Sequence, residues 1–220
     1  MAVRILLVDD HVVIVQAMAQ ALRNAGFSEV SYVAPDELDV AGVLAAADRF
    51  EPDVALVDLN LGVERSGLPI IGPLVGRGVA VVAFSAKDEE LVIAQCLEAG
   101  AIGFLNKGEA FDAVVEYVSK VAAGEAVVSP AEREAMLARL REHRVASDKR
   151  LRAFEELSPR ERAVLKALLM GRAPQDIADE QYVSVKTIRS QIESIYRKLG
   201  VRSQLAAVAL AREVGWPPSG

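Results

Sequence analysis

Four short apolar runs, each stopping on a polar residue, constrain the fold of this chain more than any other feature. Arg4-Ile5-Leu6-Leu7-Val8 stops on Asp9-Asp10, and Asp53-Val54-Ala55-Leu56-Val57 stops on Asp58. Val79-Ala80-Val81-Val82-Ala83-Phe84 stops on Ser85, and Ile102-Gly103-Phe104-Leu105-Asn106 stops on Lys107. Apolar runs this short, rich in β-branched and aliphatic residues, read as strands buried on both faces. A shorter strand, Glu29 to Val33, is expected between the first two. Helical patterns alternate with them. The first places Val12, Val15, Met18, Ala19 and Leu22 on one face and closes on Gly26. The others run from Asp36 to about Phe50, weakly over Leu68–Val75, from Asp88 to Ala99, and from Phe111 to Ala122. Strands alternating with helices predict βαβ units, hence an α/β doubly wound, five-stranded parallel sheet with helices on both faces.

Length and charge imply a second domain. A chain of 220 residues suits one large or two modest domains. Residues 1–127 hold 8 Lys and Arg against 19 Asp and Glu, whereas residues 158–220 hold 10 against 6. An acidic first half and a mildly basic end suggest different partners for the two. The single cysteine, Cys96, excludes an internal disulfide and lies in an apolar helical pattern, which predicts a core thiol. The apolar start is too short for a signal peptide, and no stretch is long enough to span a bilayer. A cytoplasmic protein without membrane contact is therefore expected.

In a parallel sheet of this kind the site lies beyond the carboxyl ends of the strands. The residues that end the runs, Asp9, Asp10, Asp58, Ser85 and Lys107, therefore share one rim. Crowded carboxylates repel, and a hard divalent cation such as magnesium, with oxygen ligands, relieves the repulsion. A carboxylate can also attack phosphorus and carry the phosphoryl group as an acyl phosphate. Lys107 would then neutralise phosphoryl oxygens, and Ser85 would donate a hydrogen bond to one.

Val8-Asp9-Asp10-His11, Val57-Asp58-Leu59, Phe84-Ser85-Ala86 and Phe104-Leu105-Asn106-Lys107 together resemble the receiver domain of bacterial two-component response regulators, over residues 3–122. The resemblance implies a flavodoxin-like fold in which Asp58 accepts phosphoryl from a sensor histidine kinase. It implies that Asp10 binds magnesium directly, that Asp9 helps through water or hydrogen bonds, and that Asp58 and the backbone carbonyl of Asn60 complete the metal site. Ser85 would move towards the phosphoryl group, with room left by the small Ala86, and Phe104 would turn inward as the second switch residue. The chain departs from the family's pattern at Gly108, where a proline commonly follows the lysine, which predicts a looser seat for Lys107. Gly62 stands where many receivers have proline, and Val63 to Gly67 make that loop atypical. Lys87 is an extra cation two residues past Ser85, expected to slow loss of the phosphoryl group.

Ser129-Pro130-Ala131-Glu132 is a capping box that starts a charged helix to about His143, with a second helical stretch from Asp148 to Glu156. Its thin apolar stripe (Met136, Leu137, Leu140, then Leu151 and Phe154) suits a solvated spacer or a helix docked on the first domain or on a second copy. Leu157-Ser158-Pro159-Arg160-Glu161 opens another helix, which buries Val164, Leu165, Leu168 and Leu169. A short helix from Pro174 to Glu180 follows, then a turn at Tyr182 and Val183, then a helix capped by Ser184. In that last helix Val185, Ile188, Ile192, Ile195 and Leu199 make one apolar stripe, and Lys186, Arg189, Ser190, Glu193 and Arg197 lie opposite. A short helix, a tight turn and a longer helix with a polar, partly basic face form a helix-turn-helix, whose second helix fits the major groove.

The pattern Ser158-Pro159-Arg160-Glu161, Ile177-Ala178, Val183-Ser184-Val185-Lys186-Thr187-Ile188 and Arg197-Lys198-Leu199-Gly200-Val201 resembles the LuxR-type DNA-binding domain, here a small all-α domain of four helices. With a receiver in front, the chain resembles response regulators of the NarL/FixJ class. That resemblance implies base contacts from Arg189 and Ser190, with Lys186, Thr187, Arg197 and Lys198 on the same DNA-binding helix and the cations suited to phosphates. Glu193 would read a cytosine amino group or weaken non-specific binding. Leu205 and Val208 on the last helix are the expected dimer surface, so that a homodimer, at least on DNA, reads double-stranded promoter half-sites about one helical turn apart.

These readings predict a receiver at 1–124, a helical linker at 125–153 and a DNA-binding domain at 154–220. The expected function is a phosphorylation-controlled transcriptional regulator rather than an enzyme. Two alternatives use the same residues. One is a receiver-like transcription factor regulated without phosphorylation. The other is a phosphatase built on an aspartyl nucleophile, which needs a carboxylate as general acid two residues on, where this chain has Asn60.

Overall fold

Alternation of side chains along the strands sorts the apolar residues of the first half into two cores. The structure, a computed structural model, describes residues 2–62, 66–85 and 90–217. Strands β1 (Arg4–Val8), β2 (Glu29–Tyr32), β3 (Val54–Asp58), β4 (Ala80–Ser85) and β5 (Gly103–Asn106) form one parallel sheet in the order β2-β1-β3-β4-β5. Leu6, Val8, Ala55, Val57, Val81 and Ala83 face one side, against α2 (Val40–Phe50) and α3 (Leu68–Val75). Ile5, Leu7, Val54, Leu56, Val82 and Phe84 face the other, against α1 (Val12–Asn24) and α5 (Phe111–Ala122). Burial on both faces is why these strands read as unbroken apolar runs. From β1 the chain turns outward to β2, then returns to place β3 on the other side of β1. The strand order reverses there, so the crevice beyond β1 and β3 is the place where such sheets bind ligands.

Two expectations change in detail. The second helix begins later than Asp36: residues Pro35–Glu37 form a 3₁₀ turn, and the α2 helix starts at Val40 with the Asp39 carboxylate accepting from the Gly42 amide at 2.7 Å. The 3₁₀ turn lies so close that a Cβ on Gly42 would stand 2.4 Å from the Glu37 carbonyl oxygen. The connector is one helix, α6 (Pro130–Glu155), not two. Residues 144–147 contain neither glycine nor proline, so nothing in the chain breaks the helix there. Ala86, Lys87 and the loop residues 63–65 lie outside the described residues.

The chain divides into two compact units, residues 1–140 and 141–220. Within the first, the start of α6 docks on α4 (Glu90–Glu98). The Arg133 guanidinium donates to the Leu97 and Ala101 carbonyls at 2.5 and 2.9 Å, Arg139 pairs with Glu90 at 2.7 Å, and Leu140 is buried. Arg133 thus adds a second donor to the Leu97 carbonyl, which already accepts from the Gly100 amide, at the C-terminal end of α4, where the helix dipole also favours a cation. The docked reading therefore describes this first stretch of the connector. Cys96 of α4 is buried in the core, where loss of solvation raises its thiol pKa to about 12.

In the second unit α7 (Pro159–Leu169), α8 (Pro174–Glu180), α9 (Val185–Leu199) and α10 (Gln204–Glu213) enclose Val164, Leu165, Leu168, Ile177, Ile188 and Ile195. Phe154, from the last turn of α6, is buried and stacks on Trp216 with ring centroids 5.2 Å apart. Among the described residues no helix is long and apolar enough to cross a membrane.

Candidate functional site

Asp58 ends β3, its side chain almost wholly buried, and its surroundings decide what it can do. The Lys107 ammonium lies 2.7 Å from Asp58 Oδ2 and 2.6 Å from Asp9 Oδ2, bridging the two carboxylates. The Asn60 amide donates to Asp58 Oδ1 at 3.0 Å. Burial raises the Asp58 pKa; the Asn60 amide and Lys107 oppose that rise, while the neighbouring Asp9 charge adds to it. A buried carboxylate beside a second one holds its charge only because the lysine and the amide offset part of the cost.

Two backbone amides hold the turn at Lys107, where a looser seat was expected. The Lys107 amide donates to the Ser85 carbonyl at 2.7 Å, and the Gly108 amide to Asn106 Oδ1 at 2.8 Å. These bonds hold the turn without a proline, and the Lys107–Gly108 peptide is trans. The Phe84 ring lies 5.7 Å below the ammonium, adding a cation–π contact.

Asp9, Asp10, His11 and Asp58 each bring a ligand atom within 4.8 Å of the others. Asp9 Oδ2 and Asp10 Oδ1 are buried oxygens with no hydrogen bond of good geometry, although Lys107 and His11 Nδ1 approach them. Buried oxygens short of donors, on clustered carboxylates, are the donor set a hard divalent cation takes. The residues present therefore fit magnesium. His11, whose Nδ1 lies 2.7 Å from Asp10 Oδ1, belongs to this cluster but was not expected from the sequence. Nothing in its local pattern distinguishes it from a surface residue starting α1.

Gly67 is a second positioning residue that the sequence did not single out. An added Cβ would stand 1.9 Å from the Asp58 carbonyl oxygen, while its amide bonds Leu59 O at 3.2 Å. The backbone after Asp58 passes directly over this glycine, which its spacing in a glycine-containing loop only hints at. Gly67→Ala is expected to displace the Asp58 strand end, destabilise the first unit by about 1–3 kcal/mol, and slow any modification of Asp58. Thermal unfolding together with Asp58 labelling checks this; unchanged values for both would refute it. Gly62, with φ +98°, takes a backbone conformation closed to proline, and its Cβ position lies 3.2 Å from Asp10 Oδ2.

Ser85 ends β4, opposite Asn106 in register, and is half-buried. Phe104, half-buried on β5, shares with it a cavity of about 510 Å³ that also touches Tyr117 and Glu132. The Phe104 amide, on the edge strand, donates to the Tyr117 phenolic oxygen at 3.1 Å. Burial raises that phenol's pKa to about 12, so it stays a neutral partner.

In the second unit, α9 turns Lys186, Thr187, Arg189, Ser190, Glu193 and Arg197 to solvent. The Ser184 side chain caps the helix by accepting from the Thr187 amide at 3.1 Å. Lys198 departs from this exposed set. Its ammonium lies 2.7 Å from Glu161 Oε2 and donates to the Glu156 carbonyl at 3.1 Å, so it faces α7 rather than a partner. The Ser194 hydroxyl donates to the other Glu161 oxygen at 2.8 Å. Leu205 is 79% exposed, and with the half-buried Val208 it borders an apolar groove of about 440 Å³ beside Leu168 and Leu169.

Residues 5–119 match the response regulator receiver domain, and residues 155–211 match the bacterial regulatory proteins of the luxR family. The chain is a two-component response regulator with a LuxR-type DNA-binding domain. It is 31% identical to the probable transcriptional regulatory protein NarL of Mycobacterium tuberculosis, over 95% of this chain and 93% of that one. It is 28% identical to the transcriptional regulatory protein YdfI of Bacillus subtilis, over 96% of each. The RcsB response regulator of Salmonella typhimurium shares the fold, with a TM-score of 0.54 at 18% identity over 96% of this chain and 99% of that one. The regulator therefore binds DNA and controls transcription, and its buried acidic pocket belongs to the receiver.

Proposed function

We propose that this response regulator accepts a phosphoryl group from a sensor histidine kinase on Asp58 and so controls binding of promoter DNA by its C-terminal domain. The observation that carries the reading is the buried Lys107 ammonium bridging Asp58 and Asp9. An Asp58 oxygen attacks phosphorus, an O–P bond forms, the bond from phosphorus to the donor's imidazole nitrogen breaks, and the imidazole leaves with that electron pair. Lys107 neutralises charge on the phosphoryl oxygens, and Ser85 donates a hydrogen bond to one of them. Asp9, Asp10, Asp58 and the Asn60 carbonyl would hold magnesium, which when bound would supply charge neutralisation. Asn60 cannot act as a general acid, which leaves the chain without the residue an aspartyl phosphatase requires. The shared cavity beside Ser85 gives Phe104 space to turn inward when Ser85 moves. The phosphorylated arrangement is then favoured over the other by its contacts to Lys107 and Ser85. Incubation with a small phosphodonor and magnesium, with Asp58→Asn alongside, tests the reading.

The exposed face of α9 is the proposed reading surface. Arg189 and Ser190 contact bases, Lys186, Thr187 and Arg197 contact the backbone, and Glu193 limits which base its position accepts. Lys198 serves instead to tie α9 to α7 through Glu161. Arg189→Ala is expected to cost about 1–3 kcal/mol at one preferred base pair, measured with duplexes varied position by position. Equal weakening on every sequence would remove Arg189 from base reading. The groove around Leu205 and Val208 is the proposed homodimer surface, with a second copy covering Leu205 and spacing two reading helices about one helical turn apart. The protein acts in the cytoplasm, and the proposed boundaries remain a receiver to residue 124, a helical linker to 153 and the DNA-binding domain beyond.

A further inference from the structure

We infer that Tyr182, in the turn between α8 and α9, donates its phenolic hydroxyl to a phosphate of the bound duplex. The inference rests on α9 lying in the major groove. The tyrosine is 95% exposed and packs against nothing in the core. Its φ is +55°, in the left-handed region that favours glycine. The reason is local: α8 closes with the Val183 amide on the Ala178 carbonyl at 3.0 Å and the Tyr182 amide on the Asp179 carbonyl, a Schellman motif whose left-handed position falls on residue 182. The same closure ends α1, α4, α7 and α9 on Gly26, Gly100, Gly171 and Gly200. At α8 the chain keeps a large aromatic residue where those four helices use glycine; α2 also ends on a left-handed residue other than glycine, Glu51, so what sets Tyr182 apart is an almost fully exposed aromatic side chain at that position. A strained, exposed residue that the fold does not need is a candidate for function.

Its position identifies the ligand. In a helix-turn-helix the second helix enters the groove with its N-terminal residues on the bases, while the first crosses the backbone. The turn between them runs along the groove edge, where phosphate oxygens line up. Tyr182 stands three residues ahead of Val185, the first residue of α9, beside Ser184 and the exposed Lys186. A phenol there offers a neutral donor to a charged acceptor, and such bonds are stronger than neutral pairs.

The test uses the full-length protein, a mixed-sequence fluorescent duplex at low salt, and a duplex selected from random sequence by the wild-type protein. Tyr182→Phe and Tyr182→Gly should each weaken binding about 5- to 20-fold, by the same factor on both duplexes. The salt dependence should be unchanged, because no cation is lost. Tyr182→Gly should keep or raise the unfolding midpoint of the C-terminal unit, since glycine relieves the left-handed strain. Wild-type affinity for Tyr182→Phe, a loss confined to one base pair, or a lower midpoint for Tyr182→Gly would each overturn the assignment. Arg189→Ala is the control: a loss there with none at Tyr182 removes only the turn contact, whereas no loss at either removes the reading helix as well.

Discussion

Asp58→Asn is expected to abolish incorporation of a phosphoryl group from a small phosphodonor in the presence of magnesium. An amide cannot form the acyl phosphate, and the other carboxylates of the pocket are placed as neighbours of Asp58. The measurement is the mass gained by the intact protein, with labelling of the wild type under the same conditions as reference. The variant should fold, because it removes a buried charge whose pKa burial and Asp9 already raise, and it leaves Lys107 paired to Asp9. A wild type that takes no phosphoryl group would sink the proposed switch while leaving the DNA-binding assignment intact. A variant that labels as well as the wild type would move the acceptor elsewhere.

The second large effect concerns Glu161, which forms a capping box with Ser158 at the start of α7. Burial pushes its carboxyl pKa up. The Lys198 ammonium, the Ser158 amide and the Ser194 hydroxyl outweigh that and bring the pKa down from 4.5 to about 2. A carboxyl depressed in the folded state adds stability above its unfolded pKa and loses it as pH falls through the folded value. Over that interval the C-terminal unit should lose on the order of 3 kcal/mol from this group. Glu161→Gln should flatten that acid limb. At neutral pH it should destabilise the unit by about 3 kcal/mol and lower its unfolding midpoint by about 10–20 °C. Trp216, the single tryptophan, is buried against Phe154 in this unit and reports its unfolding by fluorescence. An acid limb as steep in the variant as in the wild type would assign the charge effect elsewhere. Because Lys198 and Ser194 belong to α9, the same variant should also bind DNA more weakly.

Much of the fold was legible because burial writes itself into residue type. β1, β3 and β4 are apolar on both faces, so their runs are continuous, and the Asp and Ser that end them, with Lys107 after β5, mark the rim of the sheet. The stripe from Val185 to Leu199 separated the buried from the exposed face of α9 for the same reason. Lys198 was harder, because a lysine next to Arg197 reads as solvent-facing, and its partner lies 37 residues away on α7. Gly67 was harder still, because its role comes from the approach of the Asp58 carbonyl, which a glycine in a loop does not encode.

Element order, the two-part organisation and the residues at the strand ends follow from residue patterning, because patterning reflects which side chains water excludes. Packing is what brings Lys107 between Asp58 and Asp9, Gly67 beneath the Asp58 carbonyl, and Glu161 to Lys198 of α9. Lys107 and Asp58, like Lys198 and Glu161, are far apart in the chain, and their distances are set by how the helices and sheet pack rather than by the residues' neighbours in sequence.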